Sequence, residues 1–142
     1  MNVGKILGDK GKDVIAMEQG CTVLEVSQLM GKRGIGAIPI TDGGKLVGIM
    51  SERDVVRGIS VRGASALGDC ASTLMTKGVI TCSDKETVYE LMKTMTDNRI
   101  RHIPVLQEDA LVGMVSIGDV VKHRLEEAAQ EAEALKEYIA QA

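Results

Sequence analysis

Two serine–aspartate pairs have the residue types and the spacing to bind a phosphorylated sugar. Asp54 follows Ser51, and Asp119 follows Ser116, each time three residues later. A serine at a helix start adds a hydroxyl donor to unpaired backbone N–H groups and the positive end of the helix dipole, which suits a phosphate. The aspartate carboxylate only accepts hydrogen bonds, which suits a ribose diol. The same spacing also produces an ordinary capping box, so one copy alone would indicate a helix cap.

The repetition of this pattern favours binding over capping alone. Asp119 lies 65 residues after Asp54, and both aspartates are followed by Val-Val. The same offset pairs further motifs: Thr22-Val23 with Thr87-Val88, Ile38-Pro39 with Ile103-Pro104, and Leu46-Val47-Gly48 with Leu111-Val112-Gly113. Self-similarity at a fixed offset indicates two copies of one supersecondary unit. Two copies in register make ligand binding the better interpretation.

A basic cluster accompanies the second copy at Arg99, Arg101 and His102. Because Arg101 and His102 alternate on a predicted strand, their side chains face opposite ways. We expect one of the two to contact a phosphate, with Arg53 as another candidate. The alternative is that this basic cluster is exposed to solvent at the end of a strand and pairs with nearby acidic residues.

The remaining reactive side chains form no catalytic set. Cys21, Cys70 and Cys82 are odd in number and unclustered, which predicts reduced thiols in a cytoplasm. Cys82 with His102 would be a metal pair without further ligands at the usual spacing. The chain has no nucleophile–base set and no Walker glycine–lysine loop. The sequence therefore predicts neither an enzyme nor a metal site.

Composition excludes two further classes of protein. Of 142 residues, two are Tyr and none is Phe or Trp, and the net charge is −3. Single-stranded nucleic acid is bound by stacking on aromatic side chains, and duplexes are bound by basic surfaces, so nucleic-acid binding is not expected. No apolar run approaches the roughly 18 residues of a membrane span.

The two pairs must be positioned by the same run of elements in each copy. In the first copy the patterns predict an extended piece at 14–17, a helix from the Thr22 capping box to about residue 32, strands at 37–41 and 45–50, and a helix from Ser51. Asp42-Gly43-Gly44 is typical of the hairpin between the two strands. In the second copy they predict an extended piece at 79–82, a helix from Thr87, strands at 102–106 and 111–116, and a helix from Ser116.

Both ends of the chain extend beyond the repeats. Val3, Ile6 and Leu7 form a short apolar face at helical spacing, which we expect to dock on the body or on a partner subunit. The last helix carries an apolar seam at a/d spacing that consists of Val121, Leu125, Ala128, Ala132, Leu135 and Ile139. This seam fits packing on the helix's own domain and packing on a partner chain equally well. The predicted segments are an N-terminal arm at 1–13, repeat one at 14–60, a linker at 61–75, repeat two at 76–125 and a C-terminal helix extension at 126–142.

The repeated unit resembles the CBS domain, the family named for cystathionine beta-synthase. The resemblance covers Val14 to Val56 and Val79 to Val121, and it is closest to small stand-alone bacterial CBS-pair proteins. The motifs that carry it are Ile35-Gly36-Ala37, Ser51-Glu52-Arg53-Asp54, Arg99-Ile100-Arg101-His102-Ile103-Pro104-Val105, Ser116-Ile117-Gly118-Asp119-Val120-Val121-Lys122 and Glu137-Tyr138-Ile139. It implies an α/β (α+β) fold of two tandem βαββα repeats related by a pseudo-twofold axis, usually assembled as a homodimer.

The resemblance also implies two clefts between the repeats. The Asp119 cleft would take Ser116, Gly118 and Asp119 from repeat two, with Ile15, Ala16, Gly36 and Ala37 from repeat one. The Asp54 cleft would take Ser51, Arg53 and Asp54, with Ile80, Thr81, Cys82, Arg101 and His102. Adenine would lie on Ile and Pro surfaces, which adds Pro39 and Pro104. Ala16 stands where family members often carry Thr, so one polar contact is missing from the Asp119 cleft.

Three functions follow from these observations. The first is a non-catalytic regulatory module that binds an adenine nucleotide (AMP, ATP or NAD(H)) and changes the geometry of the pair to regulate a partner. The second is a structural dimerisation module with empty clefts. The third, an enzyme acting on a nucleotide, lacks a constellation that could break a bond.

Overall fold

The computed structural model describes residues 1–11 and 14–141. The helices are α1 Val3–Lys10, α2 Val23–Arg33, α3 Glu52–Arg62, α4 Ala71–Leu74, α5 Val88–Asn98 and α6 Ile117–Gln141, with a 3₁₀ helix at Gly63–Gly68. The strands are β1 Met17–Glu18, β2 Ala37–Asp42, β3 Lys45–Ser51, β4 Cys82–Ser83, β5 His102–Gln107 and β6 Ala110–Ser116.

The strands form two three-stranded sheets with the same topology, β1-β2-β3 and β4-β5-β6. In each sheet a short parallel strand pairs with the middle strand, and the last two strands form an antiparallel hairpin. The register shifts once in each hairpin, between Ile40 and Thr41 and between Val105 and Leu106. These two shifts are related by the offset seen in the sequence. The predicted fold class, α/β (α+β) with two βαββα repeats, is confirmed.

The helices begin where the sequence predicts. Thr22 and Thr87 each accept a hydrogen bond from the backbone N–H three residues later, and Glu25 and Glu90 accept in return from the backbone of the cap residue. These reciprocal bonds satisfy N–H groups that a helix start leaves unpaired. Both predicted capping boxes are therefore confirmed.

The first strand of each sheet is shorter than predicted and begins later. β1 starts at Met17 and β4 at Cys82, whereas the sequence predicts extended pieces at 14–17 and 79–82. The parallel pairing of β1 with β2 begins at Ile40, directly after Pro39. Proline has no N–H to donate to a ladder, so the pairing cannot continue toward the start of β2. Pro39 thus lies in a middle strand, but in the part of it that β1 does not reach.

The N-terminal helix α1 completes the core of the second repeat. Val3 and Ile6 are buried with Val105 and Val115 of sheet β4-β5-β6, and the Val3 N–H donates to the Glu86 carbonyl at 2.9 Å. Of the two predicted docking places for this arm, the body of the chain is the one observed.

The segment after α3 plays the corresponding part in the first repeat. Ala71 is buried in the core of sheet β1-β2-β3, with Leu74 and Met75 packed against it. Thr76 exchanges two backbone hydrogen bonds with Ile49 of β3, at 2.8 and 3.0 Å. Each repeat is therefore closed by the segment that precedes the other repeat.

These crossing segments explain why one position of the repeated motif is glycine in both copies, at Gly48 and Gly113. A Cβ atom on Gly113 would lie 2.8 Å from Leu7 Cδ2, and one on Gly48 would collide with the Met75 side chain. Glycine at these positions lets α1 and the α4 segment pass directly over the sheets.

Candidate functional site

A cavity of about 540 Å³ lies between the two repeats and the end of α1. It is lined by Leu7, Lys10, Gly11, Val14, Ile15, Arg33, Gly34, Ile35, Gly36, Ala37, His102, Gly113, Met114, Ser116 and Asp119. Its apolar part comes mainly from repeat one, and its serine and carboxylate come from the start of α6. A cavity of this size, with aliphatic surface and converging polar groups, has the character of a small-molecule site.

Among residues 1–11 and 14–141, Asp119 is the one carboxylate that lines this cavity. Its Oδ2 accepts from the Ser116 backbone N–H at 2.9 Å and from Lys10 Nζ at 2.8 Å. The Asp119 N–H donates to Ser116 Oγ at 3.2 Å, so the pair also forms a capping box. Burial opposes ionisation, but the hydrogen bonds from Lys10 and Ser116 outweigh it and hold the pKa of Asp119 below its ordinary value. The carboxylate is therefore ionised and ready to accept hydrogen bonds from a ligand.

Of the residues that the structure describes, Lys10, Arg33 and the ring of His102 also line the cavity. Burial, together with the neighbouring Arg101 guanidinium, lowers the pKa of His102. The imidazole is therefore uncharged at neutral pH. The cavity combines one carboxylate with two cations, which suits a ligand that carries both hydroxyl groups and an anion.

The environment of Asp54 is different, although its sequence motif is the same. Asp54 is 7% exposed. Its Oδ2 accepts from the Ser51 N–H at 2.8 Å and from the Ser51 hydroxyl at 3.1 Å, and its Oδ1 accepts from the Thr76 hydroxyl at 2.9 Å. Both carboxylate oxygens are thus bound by the chain itself. At Asp54 the geometry is that of a helix cap tied to the linker.

The segments that cross each sheet account for this difference. In the structure Leu7 lies over Gly113 as Met75 lies over Gly48, so Gly8 of α1 corresponds to Thr76. Thr76 supplies a hydroxyl to Asp54, whereas Gly8 has no side chain, and Lys10, two residues later, supplies its ammonium group to Asp119. Two equal motifs therefore acquire different surroundings from residues outside the repeated unit.

The sequence-predicted residues separate into those that line the Asp119 cavity and those that lie elsewhere. Ile15, Gly36, Ala37, His102, Ser116 and Asp119 line it. Ala16 is half-buried next to it in the chain, Pro39 and Pro104 are buried in β2 and β5, and Gly118 is exposed on α6. Of the residues predicted for the Asp54 cleft, Ser51 and Asp54 bond to each other, Arg53 and Arg101 are exposed, and Ile80 is half-buried.

His102 lies against the Asp119 cavity rather than beside Asp54. Its ring lies at the start of β5, where its Cε1 is 3.3 Å from the position of a Cβ on Gly36. The absence of a side chain at Gly36 gives the imidazole room to line this cavity. Arg101 is exposed beside it, and its carbonyl accepts from the Ile117 N–H at 2.8 Å. Arg101 lies directly before β5, so the predicted alternation of the two side chains on one strand does not apply to it.

Thr81 and Cys82 line a second cavity, of about 420 Å³, beside the β5–β6 hairpin. Four carboxylates share this lining: Asp84, Glu86, Glu108 and Asp109. Burial, with the negative charges of Glu86 and Asp84, raises the pKa of the Cys82 thiol to about 12. A protonated thiol among carboxylates does not suit a phosphate. Across residues 1–11 and 14–141, no group of three or more His, Cys, Asp and Glu side chains is arranged to hold a metal ion.

Sequence reasoning missed the two cations of the Asp119 cavity. Lys10 lies outside the repeated unit, and Arg33 lies at the end of α2, directly before the Gly34 that terminates it. No motif marked either residue.

The fold and the cavity together define a tandem pair of βαββα repeats with a ligand-sized cleft between them. The CBS domain model matches residues 7–61 and 71–126. The chain belongs to the CBS-domain family.

Relatives of known sequence and structure agree with this assignment. The chain is 36% identical over 146 residues to the mitochondrial CBS domain-containing protein CBSX3 of Arabidopsis thaliana, covering 96% of this chain and 71% of that protein. It is similar to the crystal structure of a CBS-domain-containing protein of Agrobacterium tumefaciens, with 38% identity, a TM-score of 0.84, and coverage of 87% of this chain and 99% of that one. The CBS-domain pair of protein MJ0100, solved in complex with 5′-methylthioadenosine and S-adenosyl-L-methionine, has 26% identity and a TM-score of 0.80 over 89% of this chain and 98% of that one.

In the part of the chain that the structure describes, no helix is both long and apolar enough to cross a membrane.

Proposed function

We propose that this protein is a non-catalytic regulatory module that binds one adenine nucleotide per chain in the Asp119 cavity. The observation that supports this most directly is the contrast between the two aspartates. Asp119 faces a cavity of about 540 Å³, whereas Asp54 is buried and bound by Ser51 and Thr76. A ribose diol can reach the first carboxylate without displacing a buried partner. Occupancy of the cavity would change the geometry of the pair and so regulate a partner protein.

The lining of the cavity supports an adenine base. Val14, Ile15, Ile35 and Ala37 offer aliphatic surface, and no aromatic side chain belongs to the lining. The base would therefore be recognised by apolar contact and by backbone groups along its edge. Guanine reverses the donor and acceptor pattern of that edge and would leave buried groups unpaired. The adenosine-containing ligands in the structure of MJ0100 are consistent with this chemistry.

The test is a binding panel on the purified protein and two aspartate variants. AMP, ADP, ATP, NAD, NADH and GMP are titrated at matched ionic strength by calorimetry. We expect adenine ligands to bind with a stoichiometry of one per chain. Asp119→Ala should weaken binding at least about tenfold, because a charged hydrogen-bond acceptor is lost.

Asp54→Ala is the matched control. It should lower the free energy of unfolding by about 2–3 kcal/mol, because it removes a buried helix cap and the hydrogen bonds that Ser51 and Thr76 donate to it. The affinity of the folded protein for nucleotide should stay nearly unchanged. Equal binding of GMP would mean that only phosphate is recognised. Absence of binding by every nucleotide would favour the empty dimerisation module.

We further propose that the module is a homodimer. Leu24 and Tyr89 are exposed at equivalent positions of α2 and α5, and Val56 and Val121 at equivalent positions of α3 and α6. Apolar residues that recur on the same face of both repeats support a symmetric contact between two chains. A cytoplasmic location is proposed as well, because it fits the three unpaired thiols.

A further inference from the structure

The contact between Lys10 and Asp119 joins the N-terminal helix to the ligand cavity. Lys10 Nζ lies 2.8 Å from Asp119 Oδ2 and 2.9 Å from the Met114 carbonyl oxygen. The side chain of Lys10 is 42% exposed, so the ammonium group can move away from the carboxylate without crossing a packed core. The ion pair thus lies at the cavity wall, where a ligand can compete for both of its partners.

The packing of α1 on its sheet does not depend on this charge. Leu7 is the side chain that closes sheet β4-β5-β6 over Gly113, as Met75 closes the other sheet over Gly48. Lys10 lies three residues further along α1, at the wall of the cavity. A lysine at this place costs side-chain entropy when it is held in an ion pair, and exposed pairs contribute little stability. The charge is better explained by what enters the cavity.

A ligand with a diol and an anion matches both halves of the ion pair. Hydroxyl groups of the ligand would donate to Asp119 and replace the hydrogen bond that Lys10 now donates. The released ammonium group would then pair with the ligand's anion within the same cavity. A ligand with hydroxyl groups alone would leave Lys10 either competing for Asp119 or without a counter-ion, bonded only to the Met114 carbonyl oxygen. His102, being neutral, would not substitute for the cation.

We propose that Lys10 is the residue by which the Asp119 cavity selects nucleoside phosphates over uncharged nucleosides, by exchanging Asp119 for the phosphate of the ligand. This inference rests on the proposed function and names the chemical class of the ligand more narrowly. It distinguishes the chain from MJ0100, whose structure holds 5′-methylthioadenosine, a nucleoside without a phosphate.

The test compares three ligands in four proteins. AMP, adenosine and 5′-methylthioadenosine are titrated by calorimetry into the wild type, Lys10→Met, Lys10→Arg and Lys5→Met. Lys10→Met removes the charge but keeps a long unbranched side chain, and Lys5→Met removes an exposed lysine from the same helix as a control. Thermal unfolding of each variant establishes that it is folded.

We expect the wild type to bind AMP at least about tenfold more tightly than adenosine, since a charge-assisted hydrogen bond contributes that much. Lys10→Met should weaken AMP binding about ten- to a hundredfold and leave adenosine and 5′-methylthioadenosine unchanged or tighter, because their competitor for Asp119 is gone. Lys10→Arg should keep the preference for AMP, and Lys5→Met should match the wild type.

Different outcomes overturn the two proposals separately. If Lys10→Met keeps the full preference for AMP, the phosphate is bound by another group, such as Arg33, and the role of Lys10 is refuted. If Lys10→Met weakens all three ligands equally, Lys10 acts only by shaping the cavity, and its role in selection is likewise refuted. If adenosine and 5′-methylthioadenosine bind the wild type as tightly as AMP, selection fails while adenosine binding stands. If none of the three binds the wild type, the proposed function fails first.

Discussion

A single residue type has two different fates in this protein. Asp54 and Asp119 occupy equal places in the repeated motif, and both accept from the backbone N–H of the preceding serine. They differ in the residue outside the motif that donates a hydrogen bond to the carboxylate. The Thr76 hydroxyl donates to Asp54, and the Lys10 ammonium group donates to Asp119. Asp54 is itself buried, whereas Asp119 lines a cavity and its ammonium partner is 42% exposed and can be exchanged. The capping and ligand-binding interpretations of the motif are therefore compatible, and the surroundings decide how much of each applies.

The burial of His102 has a consequence for the pH dependence of stability. Its folded pKa lies below the ordinary value because of burial and Arg101, with Glu52, Asp119 and Lys10 as the other charged groups that influence it. A histidine with a lowered folded pKa contributes its full stabilisation above its unfolded pKa, about 6.5. That contribution is lost as the pH falls from there toward the folded pKa, since the unfolded chain takes up the proton first.

We predict that His102→Gln makes the stability less sensitive to acid. Between pH 7.5 and 5.5 the wild type should lose more free energy of unfolding than the variant, and the difference should be small because solvent screens a half-buried ring. Urea titrations at both pH values measure the difference. His123 is present in both proteins and so does not contribute to the comparison. Equal losses in the two proteins would contradict the prediction.

At the scale of elements, the second repeat carries backbone strain that the first avoids. α2 ends at Gly34 with φ 65°, and α5 ends at Arg99 with φ 53°. The left-handed conformation costs little for glycine but about 1 kcal/mol or more for a residue with a Cβ. The β2–β3 hairpin likewise turns on two glycines with positive φ, whereas the β5–β6 hairpin turns on Glu108 and Asp109.

We predict that Arg99→Gly stabilises the protein. Relief of the left-handed strain, partly offset by the greater freedom of glycine in the unfolded chain, should raise the free energy of unfolding by about 0.5–1 kcal/mol. For a chain of this length the melting temperature should then rise by roughly 2–4 °C per kcal/mol. Differential scanning calorimetry without ligand measures the shift.

The reverse substitution is the matched control for this prediction. Gly34→Arg places the same side chain at the equivalent position of the first repeat and should lower the melting temperature. If Arg99→Gly lowers it instead, the Arg99 side chain contributes more to stability than its strained backbone costs.

At the scale of the whole molecule, each half depends on a segment that precedes the other half. α1 packs on the sheet of repeat two, and the α4 segment packs on the sheet of repeat one. This exchange holds the two repeats together and places Lys10 in the cavity between them. The outer surface includes apolar side chains that the described part of the chain leaves uncovered: Leu125, Leu135 and Ile139 on α6 are 59–66% exposed. This exposed seam is therefore a surface on which a second chain can pack.

We predict that the protein sediments with the mass of two chains at micromolar concentration. Removal of residues 126–142 should weaken this assembly, because it removes most of the exposed seam of α6, and should leave nucleotide binding measurable. Analytical ultracentrifugation of the full chain and of the truncated chain checks both points. A full chain that sediments as one chain would contradict the dimer, and a truncated chain that dimerises equally well would restrict the contact to the apolar residues shared by the two repeats.

The sequence by itself determined the repeated architecture. Offset motifs, the capping boxes at Thr22 and Thr87 and the alternating strands rest on interactions between residues close in the chain, so their signals can be found in a short window. The family resemblance likewise placed Asp119 and Ser116 in a candidate site. Those features needed no knowledge of how the elements pack.

Only the tertiary structure decided which aspartate faces an open cavity. The partner of Asp119 is Lys10, 109 residues away, and the partner of Asp54 is Thr76, 22 residues away. Neither pairing follows from local propensity, because each depends on which sheet a crossing segment covers. The two motifs are equal as sequence, and packing of the segments between and before the repeats makes them unequal as sites.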